Sequence, residues 1–187
     1  MTTMTPLYNF QFVPVDLDNA AMRHFVFRYW KDLKQHNLLR YRVPEIQNPD
    51  LDVVSSMLNN KKLWNYICWD NDNDTVIGEV MLSNYCGKAA QAHFSLHPSV
   101  FGRKRSVEIG RRGLDYIFQL KFDGEFAVNN VLGLLPVCNT LAIRWSKVVG
   151  FQEVGILKDA VVCHYADPVI QDVVVSQIHR DYFYLTS

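Results

Sequence analysis

The chain has 187 residues, 49% of them hydrophobic and 20% charged, with 19 basic and 19 acidic side chains. That balance suits a globular fold with a sizeable core, and a net charge of zero gives no overall field to recruit nucleic acid or an anionic membrane. No apolar run approaches the roughly 18 residues that cross a bilayer as a helix.

The opening Met-Thr-Thr-Met-Thr-Pro carries neither the basic nor the apolar region of a signal peptide, so a cytoplasmic location is expected. Cys68, Cys86, Cys138 and Cys163 are scattered with no Cys-x-x-Cys pair. Buried, reduced thiols and no metal site are the expectation. No repeat or linker divides the chain, which predicts one domain over residues 1–187.

Phe10 to Val15 reads as a first strand, with Pro14 marking an edge or an end. Asp18 or Asn19 then caps a helix in which Met22, Phe25, Val26, Tyr29, Trp30 and Leu33 recur at helical spacing. Residues 37–49, with two prolines, read as a loop. Asp50 to Asn60 is a short helix with Leu51, Val54 and Leu58 on one face. Leu63 to Trp69 and Thr75 to Ser83 are strands joined by the polar turn Asp70 to Asp74, which lacks the glycine and glutamate of a calcium loop. In the next strand, Ala90 to Leu96, the residues Ala90, Ala92, Phe94 and Leu96 face one side; Gln91, His93, Ser95 and His97 face the other.

After Pro98 a basic loop leads into a helix from about Ser106 to Phe122. Gly110, Gly113, Leu114, Ile117 and Phe118 line its inner face, the glycines permitting close packing on the sheet at a cost of about 1 kcal/mol each in helix propensity. A strand from Asn130 to Leu135, a helix opened by Asn139, a strand from Phe151 and a last strand from Val169 to Ile178 complete the order. Helices over a mixed, mostly antiparallel sheet are the predicted α/β architecture.

The stretch Asn139 to Phe151 is the most specific. Asn139 is placed to cap a helix, Leu141, Trp145, Val148 and Val149 fall on one face, and Gly150 stands at the helix end. This Asn-x-x-Ala pattern closing on Gly-Phe resembles the second half of the acyl-CoA site in the GNAT superfamily of N-acetyltransferases. Ala92 to Pro98 is similar to that family's central strand, and Phe101 to Glu108 to its pyrophosphate loop and helix start. The tail from Gln171 to Asp181 is similar to the last strand of the branch that acetylates ribosomal-protein N-termini.

The resemblance implies acetyl-CoA as co-substrate, no metal, and an amine acceptor, which could be a protein. It implies that two strands splay apart and that the pantetheine arm enters the gap against the backbone of Phe94 and Leu96. The pyrophosphate would sit at the helix start formed by Phe101, Gly102, Arg103, Lys104, Arg105, Ser106 and Val107, where free N–H groups and the helix dipole favour anions. Asn139 would contact the pantetheine or an ordered water. Four family positions differ here, the first being Phe101 in place of the loop's usual Arg or Gln. Lys104 and Ser106 stand where the loop carries glycines, and Ser146 stands where a tyrosine usually protonates the thiolate.

Amine acetylation also needs a base for the amine proton. Glu79, His93 and His97 are the candidates, with His164 more distant; the plain reading of each histidine is a half-exposed polar residue, and that of Glu79 a solvated strand residue. Glu79, His97 and Ser146 are the catalytic assignments. The basic residues Arg103, Lys104, Arg105, Arg111 and Arg112 have three readings: a phosphate cradle, a solvated helix start, or a patch for nucleic acid or an acidic partner. Aromatics do not interleave with them, which disfavours nucleic acid. Direct acetyl transfer in a ternary complex is the leading expectation. The alternative is a binding or structural protein on the same fold without transfer. The exposed Val173-Val174-Val175 run leaves a homodimer open.

Overall fold

The computed structural model describes residues 8–60, 62–164 and 167–186, with the backbone alone at 103. The elements run β1 (Phe10–Pro14), α1 (Ala20–Gln35), α2 (Leu39–Arg42), α3 (Leu51–Leu58), β2 (Trp64–Asp70), β3 (Thr75–Cys86) and β4 (Ala89–Leu96). A 3-10 turn (Pro98–Val100) then leads to α4 (Arg103–Gln119), β5 (Lys121–Phe122), β6 (Glu125–Phe126), β7 (Asn130–Pro136), α5 (Thr140–Val149), β8 (Gln152–Cys163), β9 (Val169–His179) and α6 (Arg180–Thr186). Seven strands form one sheet in the order β1-β2-β3-β4-β7-β9-β8, and β5 pairs with β6 alone. Within the seven-stranded sheet every pairing is antiparallel except that of β4 with β7.

Capping fixes the helix starts. The Asn19 side chain accepts from Ala21 N–H at 3.0 Å and Met22 N–H at 3.1 Å, and Asp50 does the same for Asp52 and Val53. The sheet separates two apolar layers. Val26, Tyr29, Trp30, Leu33, Leu39 and Val54 of the first three helices pack on one side with Ile67 and Val76. Leu114, Ile117, Phe118, Val149 and Phe183 of the last three pack on the other with Val80, Leu82, Ala92 and Val131. Alternation along β3 turns Val80 and Leu82 to the second layer, and Glu79 and Met81 to the first, where both approach Arg42.

The structure corrects several boundaries. Residues 37–49 hold the one-turn helix α2. The helix expected at Ser106 begins at Arg103, because Gly102 is extended at φ 160° and ψ 141° and its carbonyl takes both the N–H and the Oγ–H of Ser106. It stops at Gln119, since the Asp123-Gly124 turn, with φ of 50° and 83°, folds the next residues into the β5–β6 hairpin. The final helix α6 was not expected; Phe183 anchors it with its ring 5.5 Å from that of Phe118.

Candidate active site

The sheet splits between β4 and β7. These strands pair only at Ala89–Asn130, Ala90–Val131 and Gln91–Leu132. Beyond that, β4 stays on β3 as far as Gly78–Leu96, and β7 stays on β9 as far as Pro136–Val173. His97 N–H donates to Ile77 O at 2.9 Å, and Asn130 N–H donates to Lys88 O at 3.1 Å. Hydrogen-bonding direction alternates residue by residue along a strand. His93, Ser95 and His97 therefore turn their backbone groups to β3, while Phe94 and Leu96 turn theirs into the gap. Leu134 does so from β7.

The tip of α4 is the second component. The N–H groups of Arg103, Lys104 and Arg105 precede the first helical bond, Ser106 N–H to Gly102 O at 3.2 Å, so no helical carbonyl takes them. Phe101 is 59% exposed, Lys104 is exposed, and Gly102 has open space around its Cα. Lys104 sits in the first turn without positive φ, so replacing a glycine there stores no left-handed strain. Val107 is half-buried against the α4-side core.

Two of the basic side chains are engaged elsewhere. Arg105 donates to the buried carboxylate of Asp70 on β2 and lies over the Tyr8 ring, 5.3 Å from its centroid. Burial alone would raise the Asp70 pKa, but hydrogen bonds from Asn73, Arg105 and the Asp72 N–H hold it below the usual carboxylate range. Arg112 donates to Tyr8 O and Phe10 O at 3.1 and 2.6 Å and stacks 3.9 Å from the Phe10 centroid. Both arginines fasten the segment from Tyr8 to Phe10 to α4. The side chain of Arg103 lies outside the described residues.

Helix α5 follows β7 and packs beside α4 and β4. Asn139 N–H donates to Pro136 O at 2.8 Å, and its Oδ1 accepts from Ala142 N–H at 3.2 Å. Trp145 Nε1 donates to Ser106 O at 3.1 Å, and its ring lies 5.3 Å from that of Phe94. The indole thus ties α5, α4 and β4 together beside the split. Buried Ser146 donates its hydroxyl to Ile143 O at 2.9 Å.

The opposite face of β3 and β4 carries a buried polar cluster under α1 and α2. Glu79 lies 3.8 Å from Arg42 Nη2, which also approaches Met81 Sδ at 3.6 Å. Glu79 Oε2 and Arg42 Nε have no hydrogen-bond partner among the described residues. Burial pushes the Glu79 pKa up, and Arg42 opposes that without cancelling it. Tyr29 donates to Ser95 Oγ at 2.9 Å, opposite Glu79 in the β3–β4 register. His93 Nε2 meets Ser83 Oγ at 3.1 Å, and burial, aided by Arg42, pushes its pKa down to about 3. Burial lowers the His97 pKa too, with Asp32 opposing and His36 assisting; its Nδ1 is held by Ser99.

The structure thus gathers Phe94, Leu96, the α4 tip and Asn139 around the split. Glu79 and His97 sit on the α1 face, while Ser146 belongs to α5 on the other. Tyr29, Arg42 and Ser95 join the polar cluster without any sequence signal: Tyr29 fits the apolar stripe of α1, and Arg42 lies in what reads as a loop. His164 stands apart, its N–H on Pro44 O. Among the described residues no three His, Cys, Asp or Glu side chains gather as a metal site, and no helix is long and apolar enough to cross a membrane.

The mixed sheet, split between its one parallel strand pair beside a helix tip, is a GNAT-type fold. Solved structures bear this out at the level of fold. The spermidine N-acetyltransferase of Vibrio cholerae, solved with CoA and spermine, superposes with a TM-score of 0.71 at 17% identity, over 94% of this chain and 98% of that one. The ribosomal-protein-S5-alanine acetyltransferase of Vibrio fischeri gives 0.67 at 14% identity, over 95% and 96%. No protein-family model and no curated protein matches the sequence.

Proposed function

We propose that residues 1–187 form one cytoplasmic catalytic domain that transfers an acetyl group from acetyl-CoA to a primary amine. The observation that carries this reading is the β4–β7 split, with the unpaired backbone of Phe94 and Leu96 at its edge and free N–H groups at the tip of α4. An extended amide chain adds to such an edge as a strand does, and a pyrophosphate suits such a tip. The V. cholerae neighbour, solved with CoA and an amine, supports the pairing of ligands.

On this reading the backbone N–H groups of Arg103, Lys104 and Arg105 hold the phosphates, with Phe101 and Gly102 leaving the approach open and the Lys104 ammonium adding charge. Asn139 keeps the β7 end of the gap in place. Glu79, its pKa raised by burial, accepts the proton as the amine nitrogen bonds to the thioester carbon. The carbon–sulfur bond breaks, and the thiolate leaves on the α5 side, with the Ser146 hydroxyl as its assigned hydrogen-bond donor. His97, kept neutral by burial, is the alternative base. The acceptor is a protein N-terminus, a lysine or a small polyamine-like molecule, the classes named by the two neighbours among them.

Thermal unfolding with acetyl-CoA tests binding. A ligand at 100 times its Kd adds about 2.7 kcal/mol, which for a chain of this size raises Tm by roughly 5–10 °C. Lys104→Ala should reduce that shift. Arg105→Ala should lower Tm without changing it, because Arg105 holds Asp70. Thiol release with spermidine, with an alanine-started peptide and with lysine then reads turnover. A second reading, a binding protein without transfer, is favoured by the prior engagement of Arg105 and Ser146. It predicts a thermal shift with no thiol release from any amine. No shift at millimolar acetyl-CoA removes both.

A further inference from the structure

The outer face of α1 carries a positive stripe that acyl transfer does not use. Arg23, His24, Phe27, Arg28 and Lys31 recur at intervals of three and four and so share one side of the helix. With Leu51 of α3 they line an open groove of about 520 Å³. Arg23, Arg28 and Lys31 are exposed, and none forms an ion pair among the described residues. Arg23 only reaches Leu17 O, at 3.4 Å. The one acid of α1, Asp32, acts on His97 on the inner side. Asp50, the cap of α3, is turned onto the N–H groups of Asp52 and Val53, and neither the Asp50 nor the Asp52 carboxylate is in the lining. In a chain of zero net charge, this is a local concentration of cations left without counter-charge.

The stripe also holds an aromatic ring. Phe27 is half-buried between Arg23 and His24 on one side and Arg28 and Lys31 on the other. Cations interleaved with an aromatic in a groove match a strand of phosphates and unstacked bases. Eight residues at 1.5 Å rise spread Arg23 to Lys31 over about 12 Å, a line of charge rather than a point. We propose that this face of α1 binds single-stranded nucleic acid, with Arg23, Arg28 and Lys31 on successive phosphates and Phe27 offering its ring to a base. An acidic peptide would answer the charge and leave Phe27 idle.

Anisotropy of a fluorescein-labelled oligouridylate between about 50 and 200 mM salt tests this directly. Three phosphate contacts predict a slope of log K against log salt near −2, at about −0.7 per contact for a single strand. Alanine at Arg23, Arg28 and Lys31 together should flatten that slope towards zero. Phe27→Leu, which keeps the apolar packing, should weaken binding about tenfold, the effect of one lost stack, and leave the slope alone. Lys121→Ala, on the β5–β6 hairpin, should change neither. The proposal is overturned if the triple variant keeps the slope, if uridine monophosphate competes as well per phosphate as the strand, or if polyglutamate competes equally and Phe27→Leu is silent. Circular dichroism of each variant shows that it is folded.

Discussion

Gly110 carries a sharp prediction, because two large and opposed effects meet there. A Cβ added at Gly110 would lie 2.5 Å from Trp145 Cζ2 and 2.7 Å from Val149 Cγ2. In an unhindered helix, Gly→Ala gains about 1 kcal/mol. Here the indole cannot yield cheaply: its Nε1 is bonded to Ser106 O and its ring rests against Phe94. Overpacking of this kind costs about 1–3 kcal/mol, and contacts below 3 Å belong at the upper end. The net expectation for Gly110→Ala is a loss of roughly 1–2 kcal/mol, or about 2–8 °C in Tm for this chain length. Urea and thermal unfolding measure it. Trp145→Phe removes the far ring atoms, so in that background the cost of Gly110→Ala should shrink by at least about 0.5 kcal/mol, the coupling expected of residues in contact. A rise in Tm for Gly110→Ala in the otherwise unchanged protein would refute the close approach of α4 to α5.

Four further outcomes follow from the titratable groups and the site. Because the folded pKa of Asp70 is depressed, its stabilisation is present above the unfolded value near 3.9 and is lost as pH falls through the folded one. Asp70→Asn should therefore cost stability at pH 7, with the difference closing below about pH 4 in urea melts; a pH-independent difference would assign the effect to packing. His93 is depressed to about 3, so the unfolded chain gains a proton below about pH 6.5 that the folded chain refuses. Stability should fall as pH drops through that window, and His93→Gln, measured at both ends, should flatten the fall. Glu79→Gln should lower turnover by a factor of about 100 or more while keeping the acetyl-CoA thermal shift; Ser146→Ala should lower it about tenfold, the worth of one hydrogen bond. Equal loss of binding and turnover in either variant would mark the residue as structural.

The order of elements was legible because each main element advertises its period. Met22 to Leu33 repeats at helical spacing and Ala90 to Leu96 alternates, and both form as read. The glycines of α4 were expected to allow close packing on the sheet; Gly113 does so against Phe94 and Phe12, whereas Gly110 meets Trp145 and Val149 of α5 instead. The Asp123-Gly124 hairpin was legible too, since that dipeptide is a strong turn signal; an apolar face running on to Phe122 masked it. Other features depend on contacts that no local pattern encodes. Arg105 reads as one member of a basic run, and only the approach of β2 to α4, 35 positions away in the chain, turns it onto Asp70. Arg42 and Glu79 meet only because α2 crosses the sheet. The outer stripe of α1 was overshadowed by the apolar face of the same helix, which dominates its periodicity.

The middle of a seven-stranded sheet is ordinarily where amide protons are slowest to trade with solvent. Phe94 and Leu96 occupy that position without the partner strand that confers such protection. Their amides should exchange early, among neighbours that exchange late, and slow down only when something fills the cleft. The protein therefore carries its own isotopic reporter of occupancy, one that needs neither turnover nor knowledge of which amine it serves.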